Sequence, residues 1–297
     1  MDAIRKAETL IEAQSYIRKF RDRLTVIKLG GSAMEDPTAL EATLQDVIFM
    51  ETVGLRPVLV HGGGKPIDRA MARAGLVPRK VHGRRCTDAA TLAIVVRVLL
   101  DEINAGLVEQ VRRLGGRAVG LHSGSLQALH GERLRLMPSS GEPIDLGFVG
   151  TVTQVDAPLI ETFCVGGVIP IIPSVAIDRG AEASQPQWLN VNADTAAAAV
   201  AGHLRAEKLV VLTDTPGILT DRRDPASLLE TLDAAGAADL IARGIIDEGM
   251  LPKVEACLES LRAGVKKAHM IDGRLRHSLL LEIYTDRGVG TELTLGV

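Results

Sequence analysis

Leu24-Thr25-Val26-Ile27-Lys28-Leu29-Gly30-Gly31 decides the fold. Six residues rich in β-branched and aliphatic side chains, followed at once by a glycine pair, predict a strand buried on both faces that ends in a ligand-approachable turn. Outward from it, strands and helices alternate. Asp36-Pro37 opens a helix with a cap residue and a first-turn proline, and Gly54 closes it. Val58–His61 is a second strand with its own glycine run, and residues 66–74 form a helix ended by Gly75. Asp88 caps a long helix that ends near Gly115-Gly116. In residues 118–155, the runs RAVGLH, RLRLMP and FVGTVTQV predict hairpins. Alternation resumes with a helix near 157–163, a strand VIPIIPSV, a helix from Asp194, a strand 208–212, helices at 226–242 and 252–263, and a strand 268–271. The fold class is therefore α/β, with a mainly parallel central sheet covered on both faces.

Before this unit, residues 2–21 form an amphipathic helix with Leu10, Ala13, Ile17 and Phe20 on one face. It packs on its own core or docks on another subunit. A lobe boundary is expected in the polar stretch 179–187.

Composition narrows the function classes. The 297 residues suffice for a large core, and a hydrophobic fraction of 46% with 24% charged residues is that of a folded soluble chain. Aromatics at 2% and a net charge of −3 argue against a base-stacking nucleic-acid binder or a basic membrane surface. Cys86, Cys164 and Cys257 form no C-x-x-C pair, which argues against a disulfide framework or structural zinc and fits a reducing compartment. The N-terminus lacks a signal-like apolar core and no stretch is long enough to span a bilayer, so a cytoplasmic protein is expected.

Several short motifs carry chemistry. Gly30-Gly31 after Lys28, at a strand end, can form an anion-binding nest. His61-Gly62-Gly63-Gly64 repeats the arrangement at the start of a helix, where N–H groups meet carboxylates and phosphates. His61 itself is more often structural than basic in such a place. The P-loop pattern is absent, since Lys65 is followed by Pro66, and no G-x-G-x-x-G joins the first strand to its helix, which disfavours a nicotinamide oxidoreductase. Asn190-Val191-Asn192-Ala193-Asp194 opens an alanine-rich helix. Asp194 there is either an N-cap or a partner for lysines, and the asparagines can donate to a carboxylate. Thr213-Asp214-Thr215-Pro216-Gly217 is a turn or a nucleotide-edge loop. Lys253, in the first turn of a helix after Pro252, opposes the helix dipole and so is aimed at an anion.

Taken together and in this order, KLGGS (28–32), HGGG (61–64), GRRCTD (83–88), NVNAD (190–194), TDTPGIL (213–219 within its strand end), GMLPKVEA (249–256) and the C-terminal HMIDGRLRHSLLLEIYTDRGVGTEL resemble the amino acid kinase family, and within it the acetylglutamate kinases. Ser32, Cys86 and Glu248 stand where the family's usual pattern has other residues. The resemblance implies a three-layer αβα sandwich and ATP-dependent phosphorylation of the side-chain carboxylate of N-acetyl-L-glutamate. It implies Lys28, Lys253 and Asp194 as catalytic groups, and Gly63, Gly64, Arg85 and Asn190 as the acetylglutamate site. Gly30, Gly31, Thr213, Asp214 and Gly217 would line ATP. Mg2+ would arrive with the nucleotide and no protein-ligated metal is expected. Residues 1–22 would be an oligomerisation helix, 23–180 the acetylglutamate-binding and dimerisation lobe, and 181–297 the nucleotide lobe. The N-terminal helix, with Tyr16, resembles that of arginine-inhibited members, which form hexamers from three dimers. Glu282 and Gly288 would belong to the arginine site. The competing readings are a kinase of the same fold with another carboxylate or carbamate acceptor, and a non-catalytic amino-acid sensor.

Overall fold

The computed structural model describes residues 3–31, 33–81, 84–136, 144–182, 187–285 and 288–296. Ser32 and Gly83 of the motifs above lie outside these, as do residues 183–186 of the expected lobe boundary.

Leu24–Leu29 is a strand, and all but its first residue are buried. It runs parallel to Arg56–His61 on one side and to Lys208–Thr213 on the other, with Lys28 opposite Val60 and Val211. Among the described residues the sheet has eight strands. From edge to edge they are Thr231–Asp233, Thr291–Thr294, Lys267–Asp272, Lys208–Thr213, Leu24–Leu29, Arg56–His61, Ile169–Pro173 and Ala118–Gly120. Every neighbouring pair is parallel except Lys267–Asp272 with Thr291–Thr294.

The two-residue period of a strand sorts the core into two layers. Ile27, Leu29, Leu59 and Val210 face helices Pro37–Thr52, Ala105–Arg113 and Ser278–Tyr284. Val26, Val58, Val60 and Val211 face helices Ala157–Val165, Ala193–His203 and Leu251–Arg262. This is the expected three-layer sandwich. With so few aromatics, the second layer closes on alanines 196–198 and 201, which let its helix approach the sheet closely.

The structure departs from the sequence reading at four places. Only part of 118–155 is a hairpin: Leu129–Leu136 pairs antiparallel with Ile144–Val155, whereas Ala118–Gly120 joins the central sheet as its edge. The run 168–175 divides at Ser174 into Ile169–Pro173, in the sheet, and Val175–Asp178, which joins Trp188–Val191 and the hairpin in a small closed barrel. The helix expected at 226–242 covers only Ala234–Ala242, because Asp233 caps it by accepting from the Gly236 N–H and residues Thr231–Asp233 extend the sheet edge. The helix capped by Asp88 has α geometry over Ala89–Arg97, widens to a π-helix over Val98–Asn104 and returns to α over Ala105–Arg113.

The N-terminal helix is Ala3–Phe20. Its last turns pack through Tyr16, Ile17 and Phe20, while Ile4, Leu10 and Ile11 are 66%, 66% and 70% exposed. Leu10, expected on the packed face, is thus in solvent. Cys86, Cys164 and Cys257 are free thiols. Among the described residues no helix is long and apolar enough to cross a membrane, and no group of three or more His, Cys, Asp or Glu side chains could hold a metal.

Candidate active site

The glycine loops after Leu24–Leu29 and Arg56–His61 lie side by side because their strands are adjacent and parallel, so both loops emerge at the same sheet edge. Ligands of open α/β sheets bind at this edge. A cavity of about 250 Å³ opens there, walled by Lys28, both glycine loops, Arg85, Asn190 and Asp194.

Lys28 shares its face with Val26, and so points toward helix Ala193–His203. Asp194 does not cap that helix. Asn192 does, accepting from the N–H groups of Asp194 and Thr195 at 2.8 and 3.0 Å. Two residues upstream of the expected cap, Asn192 satisfies the free helix donors and releases the Asp194 carboxylate. Asp194 Oδ1 meets Lys28 Nζ at 2.8 Å, with the side chains only 10% and 6% exposed. Behind them, on helix Leu251–Arg262, the Cys257 thiol is wholly buried. Burial first, and the Asp194 charge second, raise its pKa beyond the thiol range, so it stays protonated.

The glycines divide by what surrounds them. A Cβ on Gly30 would lie 2.9 Å from Leu212 O, and one on Gly63 would lie 2.6 Å from Ile103 Cδ1. A backbone carbonyl crowds Gly30, whereas Gly63 is crowded by the ends of side chains, so close packing accounts for a glycine at each position. On Gly31 and Gly64 a Cβ would meet nothing within 4 Å. Packing does not explain those two, and both face the cavity. Glu35 ties the loops together by accepting from Lys65 and, at 2.9 Å, from Arg69. Those two bonds hold its carboxyl below the ordinary carboxylate range.

Arg85 is held from behind. Its Nη1 meets Asp68 Oδ1 at 2.6 Å and Met71 Sδ at 3.2 Å, and its side chain is 7% exposed. Thr87 connects the Arg85 strand to Asn190: its hydroxyl donates to Arg85 O at 2.9 Å and accepts from Asn190 Nδ2 at 3.1 Å. The sequence reading missed Asp68 and Thr87 as holders. The helical spacing from Gly64 to Asp68 puts both on one face and was a usable signal, whereas nothing in the sequence placed Thr87 against Asn190. Lys80, paired across from Arg85, also reaches the cavity wall.

His61 is not in the cavity wall. Its ring is wholly buried and, chiefly through that burial, its pKa is pushed down to about 4. It is neutral at pH 7, as a structural histidine should be.

The other predicted residues lie apart from this cavity. The Thr213 hydroxyl donates to Thr215 O at 2.7 Å and accepts from Thr215 N at 3.0 Å, closing a turn, and Asp214 is exposed beside it. Gly217 has φ +155°, and a Cβ there would lie 2.6 Å from Thr291 Oγ1, so packing on the Thr291–Thr294 strand accounts for this glycine. Lys253 Nζ donates to Gly249 O at 2.6 Å, four residues back, and makes no ion pair with Asp194. The expectation that Asp194 holds both lysines is met for Lys28 alone. The Lys253 stem reaches back to the carbonyl before its own helix.

A second cavity of about 370 Å³ lies between the N-terminal helix and the C-terminal segment, with Tyr16, Lys208, His269, Glu282, Gly288 and Glu292 in its wall. His269 Nδ1 meets Glu282 Oε1 at 2.5 Å, and Glu282 Oε2 accepts from Val289 N at 2.9 Å. Burial works to raise the Glu282 carboxyl, but the bond to His269, the Val289 N–H and the Lys208 charge outweigh it and leave its pKa below the ordinary value.

Residues 23–272 match the amino acid kinase family. An acetylglutamate kinase from Pelotomaculum thermopropionicum is 46% identical over 290 residues, covering 96% of this chain and 97% of its own. One from Synechocystis sp. is 44% identical over 290 residues, covering 98% and 94%. The solved structure of N-acetylglutamate synthase from Neisseria gonorrhoeae, complexed with coenzyme A and N-acetyl-glutamate, superposes with a TM-score of 0.84 at 24% identity. It matches 98% of this chain, which spans only 64% of that longer protein, and at this identity the likeness concerns the fold. The buried lysine–aspartate pair between two glycine loops thus stands on a sandwich whose sequence relatives cover it nearly end to end: the chain belongs to the amino acid kinase family, in its acetylglutamate kinase branch.

Proposed function

We propose that this chain transfers the γ-phosphoryl group of MgATP to the side-chain carboxylate of N-acetyl-L-glutamate, giving N-acetyl-L-glutamyl 5-phosphate and ADP, in arginine biosynthesis. The observation that carries the reading is the buried Lys28–Asp194 pair at the mouth of two glycine loops. A carboxylate oxygen bonds to the γ-phosphorus as the bond to the β,γ-bridging oxygen breaks. The acceptor is already ionised at neutral pH, so no base is needed, and the work is positioning and charge neutralisation. Lys28 neutralises charge on the transferring group, and Asp194 fixes its ammonium. Gly63 and Gly64 are the cap and first residue of helix Gly64–Arg73, so their N–H groups lack intrahelical acceptors and are free for anionic oxygens. Arg85, braced by Asp68, pairs with the α-carboxylate, and Asn190 with the acetylated substrate. Gly30, Gly31, Thr213, Asp214 and Gly217 border the nucleotide, and Lys253 swings from Gly249 O toward the phosphates when they bind.

In this reading residues 23–180 form the acetylglutamate lobe and 181–297 the nucleotide lobe, joined through the pairing of Leu24–Leu29 with Lys208–Thr213. L-Arginine binds the cavity around Glu282 as a feedback inhibitor. That role is supported by its place against the N-terminal helix, whose exposed Ile4, Leu10 and Ile11 dock on a neighbouring dimer in a hexamer. The enzyme works in the cytoplasm.

The test is direct: incubate the protein with MgATP and N-acetyl-L-glutamate, trap the acyl phosphate with hydroxylamine, and repeat with glutamate, aspartate, aminoadipate and added arginine. Hydroxamate from acetylglutamate alone, suppressed by arginine, is expected. Product from another acceptor would reassign the substrate, and none from any would leave a sensor.

A further inference from the structure

Behind the His61-Gly62-Gly63-Gly64 loop lies a polar contact that the chemistry above does not use. Asn104 is 1% exposed and is the last residue of the π-helix Val98–Asn104. Its Nδ2 lies 3.0 Å from Ile171 O and 3.0 Å from His61 Nε2. A carbonyl can only accept, so Ile171 O fixes which end of the amide faces the pair, and that end can only donate. His61 Nε2 is therefore an acceptor, and its proton sits on Nδ1, 3.2 Å from Gly62 O. The ring then donates to that carbonyl. In a trans peptide the C=O and N–H point in opposite directions. Fastening the Gly62 carbonyl to the buried ring turns the Gly63 N–H away from that ring, and Gly63 itself lines the cavity.

Packing fits the same purpose. The Gly63 Cα rests on Leu99 and Ile103, both of the π segment, where a Cβ would approach to 2.9 and 2.6 Å. A Cβ on Gly62 would come within 2.9 Å of Ala193 Cβ, at the start of the helix that carries Asp194. The π segment thus supplies both the floor under the loop and the amide that orients its histidine. π-Turns inside α-helices are rare and cluster at functional sites.

We propose that Asn104 is a positioning residue for phosphoryl transfer: through the Nδ1–H tautomer of His61 it sets the direction of the Gly63 N–H that meets the transferring group. This rests on the kinase reading, and its test separates the two. Histidine ring nitrogens are labelled with 15N in the full-length protein, and His61 is assigned by the signal lost in His61→Gln. A single Nδ1–H tautomer, unchanged from pH 6 to 8, is expected. An Nε2–H tautomer overturns the relay whether or not the protein is a kinase. Asn104→Asp, which presents an acceptor to Nε2, is expected to move the proton to Nε2. Asn104→Leu is expected to lower kcat about 10-fold to 100-fold, less than deleting an oxyanion donor outright, with KM for the acceptor changed less than threefold. If the wild-type protein forms hydroxamate and both variants keep kcat within twofold, the positioning role is wrong and the kinase reading stands. If the wild-type protein forms none, the kinase reading fails and the tautomer still decides the relay.

Discussion

Neutralising Lys28 separates what the buried pair does for stability from what it does for rate. Lys28 Nζ and Asp194 Oδ1 are 2.8 Å apart with side chains 6% and 10% exposed, so each charge depends on the other for compensation. Lys28→Met keeps the length of the side chain and removes its charge, leaving the Asp194 carboxylate buried without a cation. Breaking such a pair on one side costs about 3–5 kcal/mol. At about 2 °C per kcal/mol for a chain of this size, the Tm falls by about 6–10 °C. Asp194→Asn strands the ammonium and falls in the same range. The double variant Lys28→Met/Asp194→Asn buries no unpaired charge and should recover most of the loss, giving a coupling energy of about 2–4 kcal/mol in a double-mutant cycle. Activity follows a different pattern: all three variants lose about 10²–10³-fold in kcat, and the double variant regains none. Lys253→Ala is the control, because its ammonium rests on a backbone carbonyl at the surface. It should lose a similar rate with under about 1 kcal/mol of stability. Urea unfolding and the hydroxamate assay on the same preparations read both quantities. A Lys28→Met enzyme within tenfold of the wild-type kcat would refute the catalytic assignment, and additive stability losses in the double variant would refute the coupling.

Two further outcomes follow from the geometry. Arg85→Lys keeps the charge but loses the planar fork that Asp68 braces at 2.6 Å, so KM for acetylglutamate should rise about tenfold or more with kcat changed far less; an unchanged KM would remove Arg85 from the substrate site. His61 falls from an ordinary pKa of 6.5 to about 4 in the fold. The unfolded chain therefore takes up a proton between those values that the folded chain refuses, so the full stability holds above about pH 6.5 and is lost as pH falls toward 4. Between pH 7 and 5 this amounts to about 2 kcal/mol, and His61→Gln should flatten the urea-midpoint profile over that window. Parallel profiles for the two proteins would show that His61 is not the titrating group.

The Leu24–Leu29 strand, the capped helix Pro37–Thr52 and the alternation around them were legible because local patterns determine them: a continuous apolar run, a cap residue and a first-turn proline are read within a few residues. The motif residues at the sheet edge were legible for a related reason. Lys28, Gly63, Gly64, Arg85, Asn190 and Asp194 each sit next to a strand end or helix start that the sequence marks, and all of them wall one cavity. What was not legible depended on partners distant in the chain. Ala118–Gly120 looked like a hairpin arm and became the sheet edge because Ile169–Pro173 offered it a parallel ladder. Asp194 read as either a cap or a partner for lysines, and only the tertiary fold decided between the two, giving the cap to Asn192 and Asp194 to Lys28 alone. The bond from Asn104 to His61, 43 positions apart, has no sequence signature at all, because a π turn arises from how a helix packs rather than from its composition. Sequence alone thus determined the layers, the loops and the chemical types at the site. Only the tertiary structure decided which donor faces which acceptor, because hydrogen-bond geometry is set by atoms brought within about 3 Å by folding, whatever their separation in the chain.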